Sequence, residues 1–271
     1  DSKVSFDDLA AWITGDDGEG VTSAKLEENG KYVITVAKEV TTGEEEVIAK
    51  LDNIPTGVTY SVTETTERLT EEGYEVIYTK TVNGGDKENG NTGTITDDTV
   101  AVQDYRGTGS LVISKAVAGN AVENAGEKFE FTIELTVPKT VSETYMRETV
   151  KAEIVKTKYP GTSVTLAKGE DITEGEKTGW HKWTLTAYLV DGAELTVSGL
   201  PAATEYSVKE MKANANGYIT TVTFHGASQQ VNINNTDGTA SGAIANSKPD
   251  DDAVVDSYLY TNMRNQGDLA I

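Results

Sequence analysis

Apolar and polar residues alternate with a period of two in segment after segment of this chain. Lys128-Phe-Glu-Phe-Thr-Ile-Glu-Leu135 is the cleanest case, with Phe129, Phe131, Ile133 and Leu135 on one face. Lys31-Tyr-Val-Ile-Thr-Val36, Lys182-Trp-Thr-Leu-Thr-Ala-Tyr-Leu189 and Tyr218-Ile-Thr-Thr-Val-Thr-Phe224 repeat the pattern, and Glu46-Val-Ile-Ala-Lys-Leu51 follows it more loosely. Turn pairs punctuate these runs: Gly84-Gly85, Asp191-Gly192 and Asp237-Gly238. No stretch longer than about ten residues holds a helical period. The nearest, Phe6 to Ile13, reads equally well as a strand with a bulge. The predicted fold class is therefore all-β.

An internal repeat predicts two domains. Ile54-Pro-Thr-Gly-Val-Thr-Tyr60-Ser-Val-Thr-Glu64 matches Leu200-Pro-Ala-Ala-Thr-Glu-Tyr206-Ser-Val-Lys-Glu210, and each copy is followed by a Gly-Tyr pair, Gly73-Tyr74 and Gly217-Tyr218. Each copy then ends in a polar strand, Val100-Ala-Val-Gln-Asp104 and Tyr258-Leu-Tyr-Thr-Asn262. Two tandem β-sandwich domains, residues 1–107 and 108–271, are expected. The joint falls near Arg106-Gly-Thr-Gly109 and is short enough to limit hinge freedom.

Composition narrows the functions. The chain of 271 residues carries a net charge of −21, which would repel a phosphate backbone or an anionic membrane surface. There are no cysteines, so disulfides, thiolate catalysis and cysteine metal sites are excluded. No run approaches the roughly 20 apolar residues of a membrane-spanning helix. Asp1 opens on no signal-peptide pattern, so a mature or trimmed chain is expected.

Three polar residues sit in apolar-flanked strands, where a lone charge is costly. Lys115 lies late in Leu111-Val-Ile-Ser-Lys-Ala-Val117, Glu210 ends Tyr206-Ser-Val-Lys-Glu210, and Asn262 lies in the last strand. They read equally as unrelated polar residues at strand edges. If the first and last strands of the second domain pair, however, Lys115 and Asn262 can meet inside the sandwich with Glu210 between the sheets. Burial would then favour a neutral, nucleophilic amine, and a protonated glutamic acid could polarise the Asn262 carbonyl and carry protons to leaving ammonia.

The motifs Ile113-Ser-Lys115-Ala-Val-Ala-Gly119, Phe129-Glu-Phe131, Leu200-Pro201, Tyr206-Ser-Val-Lys-Glu210, Gly217-Tyr218 and Tyr260-Thr-Asn262-Met-Arg264 occur in this order. Over residues 109–265 the chain thereby resembles the collagen-adhesin B-type (CnaB-type) domains of Gram-positive pilin shafts and adhesin stalks, with residues 136–180 as an insertion. The resemblance implies two Ig-like CnaB-type sandwiches and an autocatalytic Lys115–Asn262 isopeptide bond assisted by Glu210. It further implies a structural, non-enzymatic role at the cell surface, in a pilus or anchored to the cell wall. Partners implied are other pilin subunits, the parent adhesin chain or host extracellular matrix, with no cofactor and no metal. In the first domain Glu64 matches the family's glutamate, Asp104 stands at the acceptor position, and Lys3 is the candidate amine. Lys38 looks locally suitable but leaves too few residues before Ile54.

Other chemistry finds weaker support. His181 and His225 neighbour no nucleophile-elbow pattern. Asp16-Asp-Gly-Glu19 and Asp250-Asp-Asp252 lack the alternating ligands of a calcium loop. A ligand-binding adhesin is the alternative function. It would use Trp12, Trp180 or Trp183 for stacking, with Trp183 expected in the core and Trp180 at the surface.

Overall fold

The computed structural model describes residues 21–26, 31–36, 47, 48, 51, 54, 56–120, 126–226, 228, 230–249 and 251–265. Strand makes up 53% and helix 5%, as expected of an all-β chain. The chain divides into two compact units. One comprises residues up to Thr63 with Tyr78–Ala101, and the other Glu64–Ile77 with residues from Val102 on.

The strands of the N-terminal part are β1 (Val21–Leu26), β2 (Tyr32–Val36), β3 (Thr59–Ser61), β4 (Glu75–Val82), β5 (Lys87–Asn89), β6 (Thr92–Thr94) and β7 (Asp98–Tyr105). Antiparallel pairs join β1 to β2, β3 to β6 and β4 to β5, and β4 also neighbours β7. Of the loosely alternating Glu46–Leu51, only residues 47, 48 and 51 are described, and none is in a strand.

Most of the second unit is a sandwich of two sheets. Its strands are β8 (Thr108–Gly119), β9 (Phe129–Val137), β10 (Lys151–Lys156), β11 (Ser163–Lys168), β12 (His181–Leu189), β13 (Glu194–Pro201), β14 (Glu205–Glu210), β15 (Ile219–Gly226), β16 (Asn232–Asn234), β17 (Thr239–Ala243) and β18 (Val254–Arg264). One sheet has the order β10-β13-β8-β18-β15, the other β11-β12-β9-β14-β17-β16. Alternate residues of β8, β9, β12, β14 and β18 point into one core, where Leu111, Ile113, Phe131, Ile133, Leu185, Val208, Tyr258 and Tyr260 have no exposed surface. Period-two patterning thus decides which side of each strand is buried.

The first and last strands of this sandwich, β8 and β18, lie side by side and run parallel, with Lys115 opposite Tyr260 and Val117 opposite Asn262. The stretch 136–180 supplies β10 and β11, each at a sheet edge, and a short helix Glu143–Glu148 capped by Ser142, whose hydroxyl accepts from the Tyr145 amide. Within the same unit, Arg106 stacks on Tyr74 at 4.5 Å, and Lys139 lies 3.6 Å from the buried Glu72. Among the described residues no helix is long and apolar enough to cross a membrane.

The expectation that Trp180 lies at the surface is corrected: it is 7% exposed. The Ile172 amide bonds to the Trp180 carbonyl and the Trp180 amide to Lys177, so this hairpin folds the indole inward, with the Lys177 amine over its ring. Trp183 is in the core, 2% exposed. Trp12 lies outside the described residues.

Candidate functional site: a buried Lys–Glu–Asn cluster

The sequence places Lys115, Glu210 and Asn262 on the inward phase of three different strands. The structure brings all three together. Lys115 on β8 and Asn262 on β18 come from adjacent strands of one sheet, and Glu210 on β14 reaches across from the other. All are at most 1% exposed. Lys115 Nζ lies 3.0 Å from Glu210 Oε2, and Asn262 Nδ2 lies 2.5 Å from Glu210 Oε1, so the glutamate bridges amine and amide. The turn after β12 fixes the lysine's backbone: the Lys115 amide bonds to the Ala193 carbonyl, and its carbonyl accepts from Gly192.

The surroundings are apolar. The Lys115 amine sits 4.2 Å above the Phe129 ring and 5.9 Å from Phe131, which packs edge-on against Tyr260. Loss of hydration pushes the Lys115 ammonium down to about 8, although Glu210, Asp191 and Glu127 pull the other way. An ion pair this deeply buried is a weak source of stability, because two desolvated charges consume most of their mutual attraction. Moving one proton over the 3.0 Å contact removes both charges and leaves an amine beside a carboxylic acid.

Asn262 Oδ1 is buried and finds no hydrogen-bond partner among the described residues. A half-turn of the amide exchanges Nδ2 and Oδ1 with little change of shape. In that orientation a protonated Glu210 can donate to the carbonyl oxygen and leave Nδ2 uncommitted. The arrangement can therefore present a neutral amine, a polarised amide carbonyl and a proton carrier within one dry pocket.

Glu64 and Asp104, the corresponding pair of the first repeat, also meet. Partial shielding from water, then the neighbouring Asp104 carboxylate and the hydrogen bond between them, raise the Glu64 carboxyl above its ordinary range. Both side chains are far more exposed than the Lys115 cluster. Lys3 and Lys38 lie outside the described residues.

His181 bonds to Asp171 at the surface and His225 is exposed. Among the described residues no group of three or more His, Asp or Glu is placed to hold a metal. One cluster was missed in the sequence. Asp256 is fully buried and accepts from Tyr206 and Ser228, and Tyr206 also bonds to Tyr258. Its only signal was a carboxylate on the inward phase of the last strand.

The family described as Domain of unknown function (DUF7601) matches residues 109–248, just over half of the chain. No curated protein matches it in sequence. Solved structures similar to it include pilins and adhesins. The pilus-presented adhesin Spy0125 (Cpa) is 25% identical over 59% of this chain, with a TM-score of 0.34, and the chain spans 28% of that adhesin's length. The major pilin T3.2 of Streptococcus pyogenes is 20% identical, with 90% of this chain and 86% of the pilin covered and a TM-score of 0.39. A Mobiluncus mulieris adhesin containing disulfide, isopeptide and ester cross-links is 16% identical over 70% of this chain and 54% of its own, with a TM-score of 0.30.

Proposed function

The chain belongs to the family described as Domain of unknown function (DUF7601), and we propose that it is a structural, self-cross-linking segment of a Gram-positive surface pilus or adhesin. One observation carries this reading: a lysine and an asparagine on the first and last strands of the sandwich meet a glutamate from the opposite sheet in a dry core. The amine of Lys115 attacks Cγ of Asn262 while Glu210 hydrogen-bonds the carbonyl oxygen. The new bond is Nζ–Cγ and the broken one Cγ–Nδ2. A proton from the amine travels through Glu210 to the departing nitrogen, and ammonia leaves. Nothing turns over, because the product stays locked in the fold. In the first repeat, Asp104 would lose water to an amine such as Lys3, with Glu64 in the role of Glu210. On this reading the chain is extracellular, with other subunits or its parent adhesin as partners.

Intact mass tests the proposal directly. The folded chain is expected to be lighter than its sequence mass by one ammonia, and by one water more where Asp104 has reacted. A peptide joining Lys115 to Asn262 should appear after digestion. A mass equal to that of the sequence would overturn the reading.

The rate should depend on pH in a diagnostic way. The ammonium–carboxylate pair and the amine–carboxylic acid pair hold the same number of protons, so passage between them is independent of pH. The Lys115 ammonium, weakened by burial, gives up its proton as pH rises through about 8. For chain recovered unfolded and unreacted, then refolded by dilution, ammonia loss should be level around neutral pH and fall about tenfold per pH unit above about 8. A rate that climbs through that range would mean that the free amine alone limits the reaction and Glu210 donates no proton.

A further inference from the structure

The inward residues of β18 are Asp256, Tyr258, Tyr260 and Asn262, and each of them reaches across the sandwich to β14. Tyr206 donates to Asp256 Oδ2 at 2.8 Å and pairs with the Tyr258 hydroxyl at 2.9 Å. Tyr260 donates to the Val208 carbonyl at 3.1 Å, and Asn262 meets Glu210. These contacts step along both strands in the same direction, like rungs, although the strands belong to opposite sheets. The reacting pair is the last rung and the Tyr206–Asp256 pair the first.

Room has been made for that first rung. A Cβ at Gly242, opposite Tyr206 on β17, would lie 2.5 Å from the Tyr206 hydroxyl. A Cβ at Gly226, opposite Asp256 on β15, would lie 2.6 Å from Asp256 Oδ1. Ser228 adds its hydroxyl to Oδ2 at 2.5 Å and its amide to Oδ1 at 3.2 Å. The carboxylate is thus held from three sides.

The same spacing recurs in the first repeat. Tyr60 precedes Glu64 as Tyr206 precedes Glu210, and Asp98 precedes Asp104 as Asp256 precedes Asn262. Within the first unit Tyr60 donates to Asp98 Oδ2 at 2.9 Å, and a Cβ at Gly93, opposite Tyr60, would lie 2.6 Å from its hydroxyl. The two middle tyrosines are replaced by Val100 and Val102. The tyrosine, the glycine beneath it and the aspartate are retained where the middle rungs are not, which ties them to the glutamate and acceptor positions and not to core packing in general.

We propose that Tyr206 and Asp256 are positioning residues for the cross-linking reaction, setting the register of β18 along β14 so that Asn262 comes to rest against Glu210. This rests on the reading of Lys115, Glu210 and Asn262 as a reacting cluster. A strand held only by apolar side chains can shift along its neighbour at small cost. A buried hydroxyl–carboxylate bond cannot follow such a shift without being broken, and a misplacement of about 1 Å at the reacting atoms can cost on the order of a hundredfold in rate.

The test compares ammonia loss after refolding in wild type, Tyr206→Phe, Asp256→Asn and the double variant, below the melting point of each. Val197→Ala, a cavity on β13 away from these contacts, serves as a control for lost stability alone. Tyr206→Phe and Asp256→Asn are each expected to slow the reaction about tenfold or more. The double variant should be slowed by less than the product of the two single effects, since the Tyr206–Asp256 contact is common to both. The pH at which the rate bends should stay put, because neither residue touches the reacting atoms. Val197→Ala should react at nearly the wild-type rate. If wild type loses ammonia and both single variants keep pace with it, or if Val197→Ala slows as much as they do, the positioning role is wrong. If wild type never loses ammonia, it is the cross-linking reading itself that fails.

Discussion

Chain carrying Glu210→Gln is expected to fold and yet keep its full sequence mass, with ammonia loss falling from complete to undetectable. Glutamine matches glutamate in shape and can still hydrogen-bond both Lys115 and Asn262 across the contacts of 3.0 and 2.5 Å. It cannot take a proton from the amine or deliver one to the departing nitrogen. Positioned proton transfer contributes typically about 10²–10⁴ in rate, enough to separate a reaction finished during folding from one never seen. Glu210→Ala should fail in the same way but fold less well, because it leaves a buried amine unpaired. The informative comparison is between the two. If Glu210→Gln still loses ammonia, a hydrogen bond to the amide suffices and the proton-carrying role is wrong. If both variants react, Glu210 is a bystander.

The second large effect is on stability. Lys115→Met removes the nucleophile but keeps an unbranched apolar stem beside Phe129, and leaves Glu210 bonded to Asn262. The proposed bond joins the first strand of the sandwich to its last, so nearly the whole sandwich lies in the closed loop. Treated as a disulfide would be, a loop of that size restricts the unfolded chain by about 5 kcal/mol. For a domain of this size that corresponds to a fall in melting temperature of about 10–20 °C. Trypsin resistance should fall with it, since cleavage follows the population of opened chain. Tension applied at the ends of the unit would run through the covalent bridge and bypass the β8–β18 hydrogen bonds, so pulling should release much less chain from wild type than from the variant. Scanning calorimetry and limited proteolysis decide the matter. Melting of Lys115→Met within a few degrees of a wild type already shown to be cross-linked would mean that the covalent link does not stabilise the fold.

Much of the site was legible because it obeys the pattern around it. Lys115, Glu210 and Asn262 occupy positions where the alternation calls for apolar side chains, and a polar group on an inward phase must find a partner. Asp256 obeys the same logic but was passed over, since one carboxylate among 44 acidic residues has no distinguishing mark until its partners are known. Those partners, Tyr206 and Ser228, come from other strands and from a connection that has no periodicity of its own. Trp180 was misplaced for a related reason: the backbone bonds between Ile172 and Trp180 create a hairpin in a stretch with no alternating run to announce it. The helix Glu143–Glu148 is too short for a helical period to show, and its signs are confined to the serine cap and the Glu143–Arg147 pair.

By itself the sequence determined the longest alternating strands of the sandwich, which face of each is buried, and that Lys115, Glu210 and Asn262 stand on inward positions. These depend on the period of two and on the cost of burying an unpaired polar group, both of which are local. Tertiary structure alone decided that β8 and β18 lie parallel and adjacent, that β14 faces them from the other sheet, and that Tyr206 to Glu210 run in step with Asp256 to Asn262. Alternation names a face but neither the strand opposite nor the register along it. Those follow from how two whole sheets pack, which no short window of sequence contains.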